Sequence, residues 1–256
     1  MEIYYYILFF IFGLCFGSFY NVLALRLPKG ESIIKPKSHC PKCLHTLKCY
    51  ELIPIISFII QKGKCKNCHT KLSFFYPFTE LVTGLLFVIS YYSFGFSYDL
   101  IIALILVSVF VLVIVSDLSY LLIPDSFILI PSILILIITI LESGITIGLR
   151  QVVFGLFAFL LMYFVMLLGN KLFKKESLGG ADIKLMFLVG LTLDPMLSIL
   201  VIFLASIIAL PVSLFLLVKN KEHVIPYGPF LMLGLLIVFF MKMDIQEIFN
   251  AMLTWF

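Results

Sequence analysis

Charge is what this sequence has least of. Of its 256 residues only 12% are Asp, Glu, Lys or Arg, against ~25% in ordinary soluble domains. Acids number 14, histidines four, and there is a single tryptophan. With 62% of residues hydrophobic and a mean hydropathy of +1.18, a water-soluble globule is excluded, because it could not hide that much apolar surface. Two further absences narrow the class. The first apolar run has no basic start and no small-residue cleavage site, so it is expected to be an uncleaved anchor rather than a secretory signal. Nor does a glycine-rich nucleotide fingerprint of the Rossmann kind occur.

What is present is a series of long apolar runs without a charge, at residues 3–25, 81–98, 100–116, 126–141, 151–170 and 196–218. Each is close to the ~20 residues a helix needs to cross ~30 Å of hydrocarbon. Two shorter runs, 185–193 and 228–241, would span with help from flanking residues or local thinning of the bilayer. The expected fold is therefore an all-α integral membrane protein of about eight transmembrane helices. It divides into a first transmembrane helix at 1–25, a basic cytoplasmic loop domain at 26–75, and a multi-span transmembrane domain at 76–256.

The sparse charge is unevenly placed. Ten of the 18 Lys and Arg lie between Arg26 and Lys71, against only Glu31 and Glu51, so this loop carries +8 of a net +4 and the remainder carries −4. Basic loops stay in the cytoplasm, which puts both termini outside. Counting spans onward, Lys171, Lys174 and Lys175, then Lys219 and Lys221, also fall inside, although the count did not use them. Membrane topology and the interleaved apolar residues account for the charge; membrane lipids are expected partners of the chain, and no nucleic acid partner is expected.

The same loop holds two C-x-x-C knuckles, Cys40-Pro41-Lys42-Cys43 and Cys65-Lys66-Asn67-Cys68, with 21 residues between them. That spacing suits a structural, four-thiolate zinc site, and a loop of about 48 residues is too small to fold well around an apolar core alone. Disulfides or free thiols are the other reading, which a reducing cytoplasm disfavours for the disulfides. Cys15 and Cys49 stand apart as bystanders. His39, His45 and His69 flank the knuckles and are alternative ligands.

Ionisable groups at the ends of apolar spans are functional candidates. Asp117 closes the third run, in Ser116-Asp117-Leu118, and Asp182 opens the sixth, in Gly179-Gly180-Ala181-Asp182. Both map to the cytoplasmic border. If packing brings them together, two neighbouring carboxylates do not both ionise cheaply, which supplies an acid and a base for activating water against a peptide carbonyl. Gly179 and Gly180 leave room for an extended substrate backbone. From these residues alone, ordinary interfacial charges explain Asp117, Asp125 and Asp182 equally well. Asp125, after Ile123-Pro124, is expected as a helix N-cap, and Glu80 is expected to need a cationic partner such as Arg26 or a loop lysine.

Taken in order, these segments resemble the type IV prepilin peptidases of bacteria. The resemblance rests on Gly17-Ser18-Phe19-Tyr20-Asn21-Val22 with Arg26-Leu27-Pro28, on the paired knuckles with Glu51-Leu52-Ile53-Pro54-Ile55-Ile56-Ser57 between them, and on Tyr76-Pro77 to Glu80. It continues through Asp117 to Ile123-Pro124-Asp125, the glycines before Asp182, and Ile225-Pro226-Tyr227-Gly228-Pro229. It implies a multi-pass protein of the bacterial inner membrane, with Asp117 and Asp182 as a catalytic aspartate dyad at the cytoplasmic face. The implied substrates are type IV prepilins or pseudopilins, cut after glycine ahead of a hydrophobic helix. Many members also methylate the new N-terminus with S-adenosylmethionine, an activity usually attributed to the zinc-bearing region. One departure is Ala181, where the family's G-x-G-D motif has its second glycine; a backbone needing positive φ there would be strained.

Other classes remain to be weighed. A proton- or cation-coupled transporter would use the aspartates as carriers, though coupling sites lie near the midplane and both acids map to one face. An intramembrane peptidase of the presenilin type shares a glycine-aspartate motif but lacks the cysteine-rich loop. A methyltransferase or assembly factor without protease activity is the third.

Overall fold

The computed structural model describes residues 2–40, 42–174, 178–218 and 226–242. The basic cluster at Lys175, Lys219 and Lys221, the residue Ile225 of the late segment, and the C-terminal end placed outside by the topology all lie beyond the described residues. Among the described residues the chain is helical, with no strand beyond two isolated β-bridges. It forms two compact units, Met1–Leu100 and Ile101–Phe256.

In the first unit, α1 (Glu2–Arg26) and α3 (Phe75–Phe94) pack along their lengths on either side of the cysteine loop, which carries the short helix α2 (Ile56–Ile60). Small residues set the closeness of the pair. A Cβ added at Gly13 would lie 2.6 Å from the Gly84 Cα, and one at Gly17 2.8 Å from the Glu80 Cα, so the two backbones meet where α1 carries no side chain and, at Gly84, where α3 carries none either. Above this contact a polar knot joins the helices: Thr79 Oγ1 donates to Asn21 Oδ1 at 2.9 Å, and Asn21 Nδ2 lies 3.4 Å from the Tyr76 carbonyl. At its outer end Tyr91 stacks on Phe9, with centroids 4.8 Å apart.

The second unit holds α4 (Tyr98–Tyr120, from its second turn), α5 (Ser126–Ser143), α6 (Ile145–Phe173), α7 (Gly180–Thr192), α8 (Pro195–Val218) and α9 (Gly228–Phe240). α7 packs against α5, α6, α8 and α9. Its Leu185, Met186, Leu188 and Val189 are wholly buried, as are Leu231, Met232 and Leu235 of α9. The α6–α7 approach again uses a small residue, since a Cβ at Gly155 would meet the Phe187 ring and carbonyl at 3.0 Å.

Among the described residues six helices are long and apolar enough to cross a membrane: α1, α3, α4, α5, α6 and α8. The expectation of about eight spans is not confirmed. α7 and α9 have 13 residues each, which at 1.5 Å per residue is ~20 Å, well short of the ~30 Å hydrocarbon layer. Their apolar character goes with burial inside the unit, a signal that hydropathy alone does not separate from lipid exposure.

Candidate functional site

The knuckles are two copies of one turn. Cys40 N–H donates to the His45 carbonyl and Leu44 N–H to the Cys40 carbonyl, each at 3.0 Å. Cys65 N–H to Thr70 and His69 N–H to Cys65 repeat the pattern at 2.9 Å. In each, the residue four places after the first cysteine is left-handed, Leu44 at φ 57° and His69 at φ 55°, and a β-bridge closes the base, His39 to Thr46 and Lys64 to Lys71. This folds both C-x-x-C pairs toward a common centre. The four sulfurs of Cys40, Cys43, Cys65 and Cys68 lie within 4.8 Å of one another.

Those sulfurs fit a metal ion better than a pair of disulfides. Cys40 and Cys68 are 3.7 Å apart, Cys43 and Cys65 3.8 Å, whereas a disulfide needs ~2.05 Å and a tetrahedron with Zn–S of ~2.3 Å has edges of ~3.8 Å. Local donors favour the thiolate that a metal requires at two of the four positions. The N–H groups of Cys43 and Lys42 hold Cys40 below its ordinary range, and the Thr70 hydroxyl and N–H bring Cys68 down to about 6. Against the pull of the His45 N–H, burial and the neighbouring Cys68 and Cys40 thiols push Cys43 up to about 11. Two of the three flanking histidines face other groups. His39 Nδ1 is 2.9 Å from the Lys37 carbonyl, and His45 Nε2 lies 3.4 Å from Glu51 Oε2. Glu51 is buried and also accepts the Lys48 N–H at 2.8 Å.

In the second unit Asp117 lies in the last turn of α4 and Asp182 in the first turn of α7. Each carboxylate faces a backbone N–H, Gly228 for Asp117 and Gly179 for Asp182, and the two carboxylates are close enough to interact electrostatically. Both are buried, at 6% and 7% exposure. The turn that delivers Asp117 is stopped by left-handed Leu121 at φ 52°, with the Ser116 hydroxyl bonded to the Leu122 carbonyl. On the other side, a Cβ at Gly180 would meet nothing within 4 Å, and one at Gly179 would meet only the Asp182 carboxylate. Among the described residues the space beside Asp182 is therefore open. Ala181 sits in helix with negative φ, so alanine there costs no backbone strain.

Two expected partnerships are corrected. Asp125 occupies the N-cap position of α5 but has helical φ/ψ and makes no capping hydrogen bond. Its carboxylate instead pairs with Lys184 Nζ at 2.6 Å, while the backbone carbonyls of Pro124 and Asp125 take the first N–H groups of α5. Glu80 does not use Arg26, which bonds the Ser32 carbonyl at 3.1 Å. It accepts the N–H of Ile55 at 2.8 Å, so an N–H dipole replaces the expected cation. Sequence reasoning missed Lys184, although it stands two residues after Asp182, and assigned no role to Tyr227 and Gly228. The Tyr227 hydroxyl lies 3.2 Å from Ser206 Oγ and within electrostatic reach of Asp182.

Comparisons with known proteins agree in sequence order with these two regions. Residues 11–94 match the model described as "Bacterial Peptidase A24 N-terminal domain" and residues 104–214 that described as "Type IV leader peptidase family". A prepilin leader peptidase/N-methyltransferase of Bacillus subtilis is 49% identical over 116 residues, covering 45% of this chain and 47% of the relative. One of Myxococcus xanthus is 36% identical over 71% of this chain and 54% of the relative. One of Neisseria gonorrhoeae is 29% identical over 95% of this chain and 93% of the relative. The matched part thus spans about half the length of the Bacillus and Myxococcus relatives. No solved structure matches.

Proposed function

This chain belongs to the type IV leader peptidase family, and on that premise we propose that it cuts the leader from type IV prepilin-like proteins after glycine. Asp117 and Asp182 are the catalytic pair in this reading, at the cytoplasmic face of the bacterial inner membrane. What carries it is the approach of two buried carboxylates from separate helix ends beside the open space at Gly179 and Gly180. A water between them loses a proton to the ionised member and attacks the scissile carbonyl carbon. The protonated member donates to the developing oxyanion, and collapse of the adduct breaks the C–N bond and returns a proton to the leaving amine.

In this reading the chain divides into an anchor at 1–25, a zinc-binding domain at 26–75 and a peptidase domain at 76–256, although the first helix of the last part, α3, packs in one unit with α1 and the cysteine loop. Zinc on Cys40, Cys43, Cys65 and Cys68 would be structural, since four thiolates leave no open position. An N-methyltransferase activity is carried over from the relatives' printed names; that it acts on the new N-terminus with S-adenosylmethionine is what the family resemblance implies. Nothing in the family matches supports the transporter alternative, and Asp117 and Asp182 sit at helix ends rather than mid-span. The test is to incubate purified protein with a candidate prepilin and S-adenosylmethionine and to locate the cut and any methyl group by mass spectrometry. A single cut after glycine supports the reading. Cleavage undiminished in Asp182→Asn overturns the aspartate mechanism.

A further inference from the structure

The chain between the knuckles contains one apolar stretch that supplies neither a sulfur to the cysteine cluster nor a carboxylate to the Asp117–Asp182 pair. From Leu52 to Ile60 it reads Leu-Ile-Pro-Ile-Ile-Ser-Phe-Ile-Ile, and its outward side chains are apolar. Ile59 is 66% exposed, Ile60 75%, and Phe74, just before α3, 70%. Soluble surfaces do not normally concentrate aliphatic side chains in this way. Phe58 is half-buried, its ring 6.2 Å from that of Phe74.

Two contacts set the level of this stretch against the membrane. Ile55 donates its N–H to Glu80 Oε2 at 2.8 Å, and Ile55 adopts φ 59° to do so, a conformation that is an outlier for a β-branched residue. Glu80 is the sixth residue of α3, so it lies ~7.5 Å along the helix axis from Phe75. α3 has 20 residues, or ~30 Å, and needs its whole length to cross the hydrocarbon layer. Phe58 against Phe74 pins the other side of α2 to the start of the same helix. α2 is thus held at the depth where headgroups give way to acyl chains, and Lys62 and Lys64 follow immediately, as suits a segment lying beside anionic headgroups.

We propose that Leu52–Ile60 is an interfacial anchor whose Ile56, Ile59 and Ile60, with Phe74, dock into the acyl-chain boundary of the lipid leaflet, clamped there by the Ile55–Glu80 hydrogen bond. The occupant of this face is lipid. The proposal depends on α1 and α3 crossing the membrane and not on the peptidase reading.

The test uses the full chain in bilayers of phosphatidylcholine and phosphatidylglycerol. Trp255, the single tryptophan, is replaced by Phe, and Ile59→Trp and Ile60→Trp are made separately as reporters. Phospholipids brominated on the acyl chain should quench both reporters strongly, while aqueous iodide should leave them nearly unquenched. Glu80→Gln should shift the balance toward iodide, because the amide accepts more weakly from Ile55. Ready quenching by iodide in the protein that keeps Glu80 would show a solvated surface, and shielding from both quenchers would show a protein cover; either result overturns the proposal.

Discussion

Lys184 on α7 and Asp125 at the start of α5 form an ion pair at 2.6 Å, two residues along α7 from Asp182. The pair ties together the segments that follow Asp117 and carry Asp182, yet both side chains are about half exposed. Such a pair contributes ~0–1 kcal/mol. Asp125→Asn is therefore expected to keep measurable cleavage. Asp117→Asn and Asp182→Asn should each abolish it while the protein stays folded, because asparagine keeps the shape but cannot shuttle a proton. Peptide cleavage followed by mass spectrometry decides this. Full activity in Asp117→Asn with loss in Asp125→Asn would reverse the assignment.

Gly228 should tolerate a side chain poorly. A Cβ there would lie 2.8 Å from Ile123 Cδ1 and 3.3 Å from Asp117 Oδ2. Ile123 can yield at the far end of its side chain, and the carboxylate would have to give by a few tenths of an ångström. Displacement of a reacting group by ~1 Å can cost ~100-fold in rate, so a shift of this size should cost roughly several-fold. Gly228→Ala should lower kcat by about that much, with KM little changed. Adding Ile123→Val relieves only the packing clash; full recovery of kcat in the double variant would mean that Asp117 was never displaced.

One zinc per chain is expected in purified protein, bound by Cys40, Cys43, Cys65 and Cys68. Replacing any one of them by serine should release the metal and lower protein levels or activity, without acting on the aspartate chemistry directly. Metal analysis that finds no zinc in active protein would remove this site from the account.

The Glu51 carboxyl sits below its ordinary value because the Lys48 N–H holds its anion, helped by the His45 hydrogen bond and charge. A depressed folded value means that the carboxylate stabilises the loop above the unfolded value of ~4.3 and loses that contribution as pH falls through the lower folded value. Amide hydrogen exchange in the loop should be slower in the native protein than in Glu51→Gln at pH 7. The difference should fade on acidification below ~4.3. A difference unchanged at acid pH would show that Glu51 does not act through its charge.

Much of this protein is legible without coordinates. Charge-free runs of spanning length mark six of the helices, because a lipid environment leaves backbone polar groups no partner but the helix itself. The doubled C-x-x-C marks the four-cysteine cluster, because two such turns place four sulfurs with little help from the rest of the chain. Asp117 and Asp182 could be singled out because an acid at the edge of an apolar run is costly without a use.

What tertiary structure decided is how these pieces are partnered. Hydropathy rates the short helices α7 and α9 like lipid-facing ones, and only packing shows them to be enclosed. The approach of Asp117 to Asp182 joins positions 65 residues apart, and no local pattern encodes that distance. Asp125 had the composition of a cap and became a partner of Lys184; Glu80 had the look of half an ion pair and took an N–H from Ile55. Local sequence sets which groups a side chain is able to satisfy. Which group it meets depends on helices brought together from far along the chain, by small residues such as Gly13, Gly84 and Gly155 whose missing side chains permit the approach.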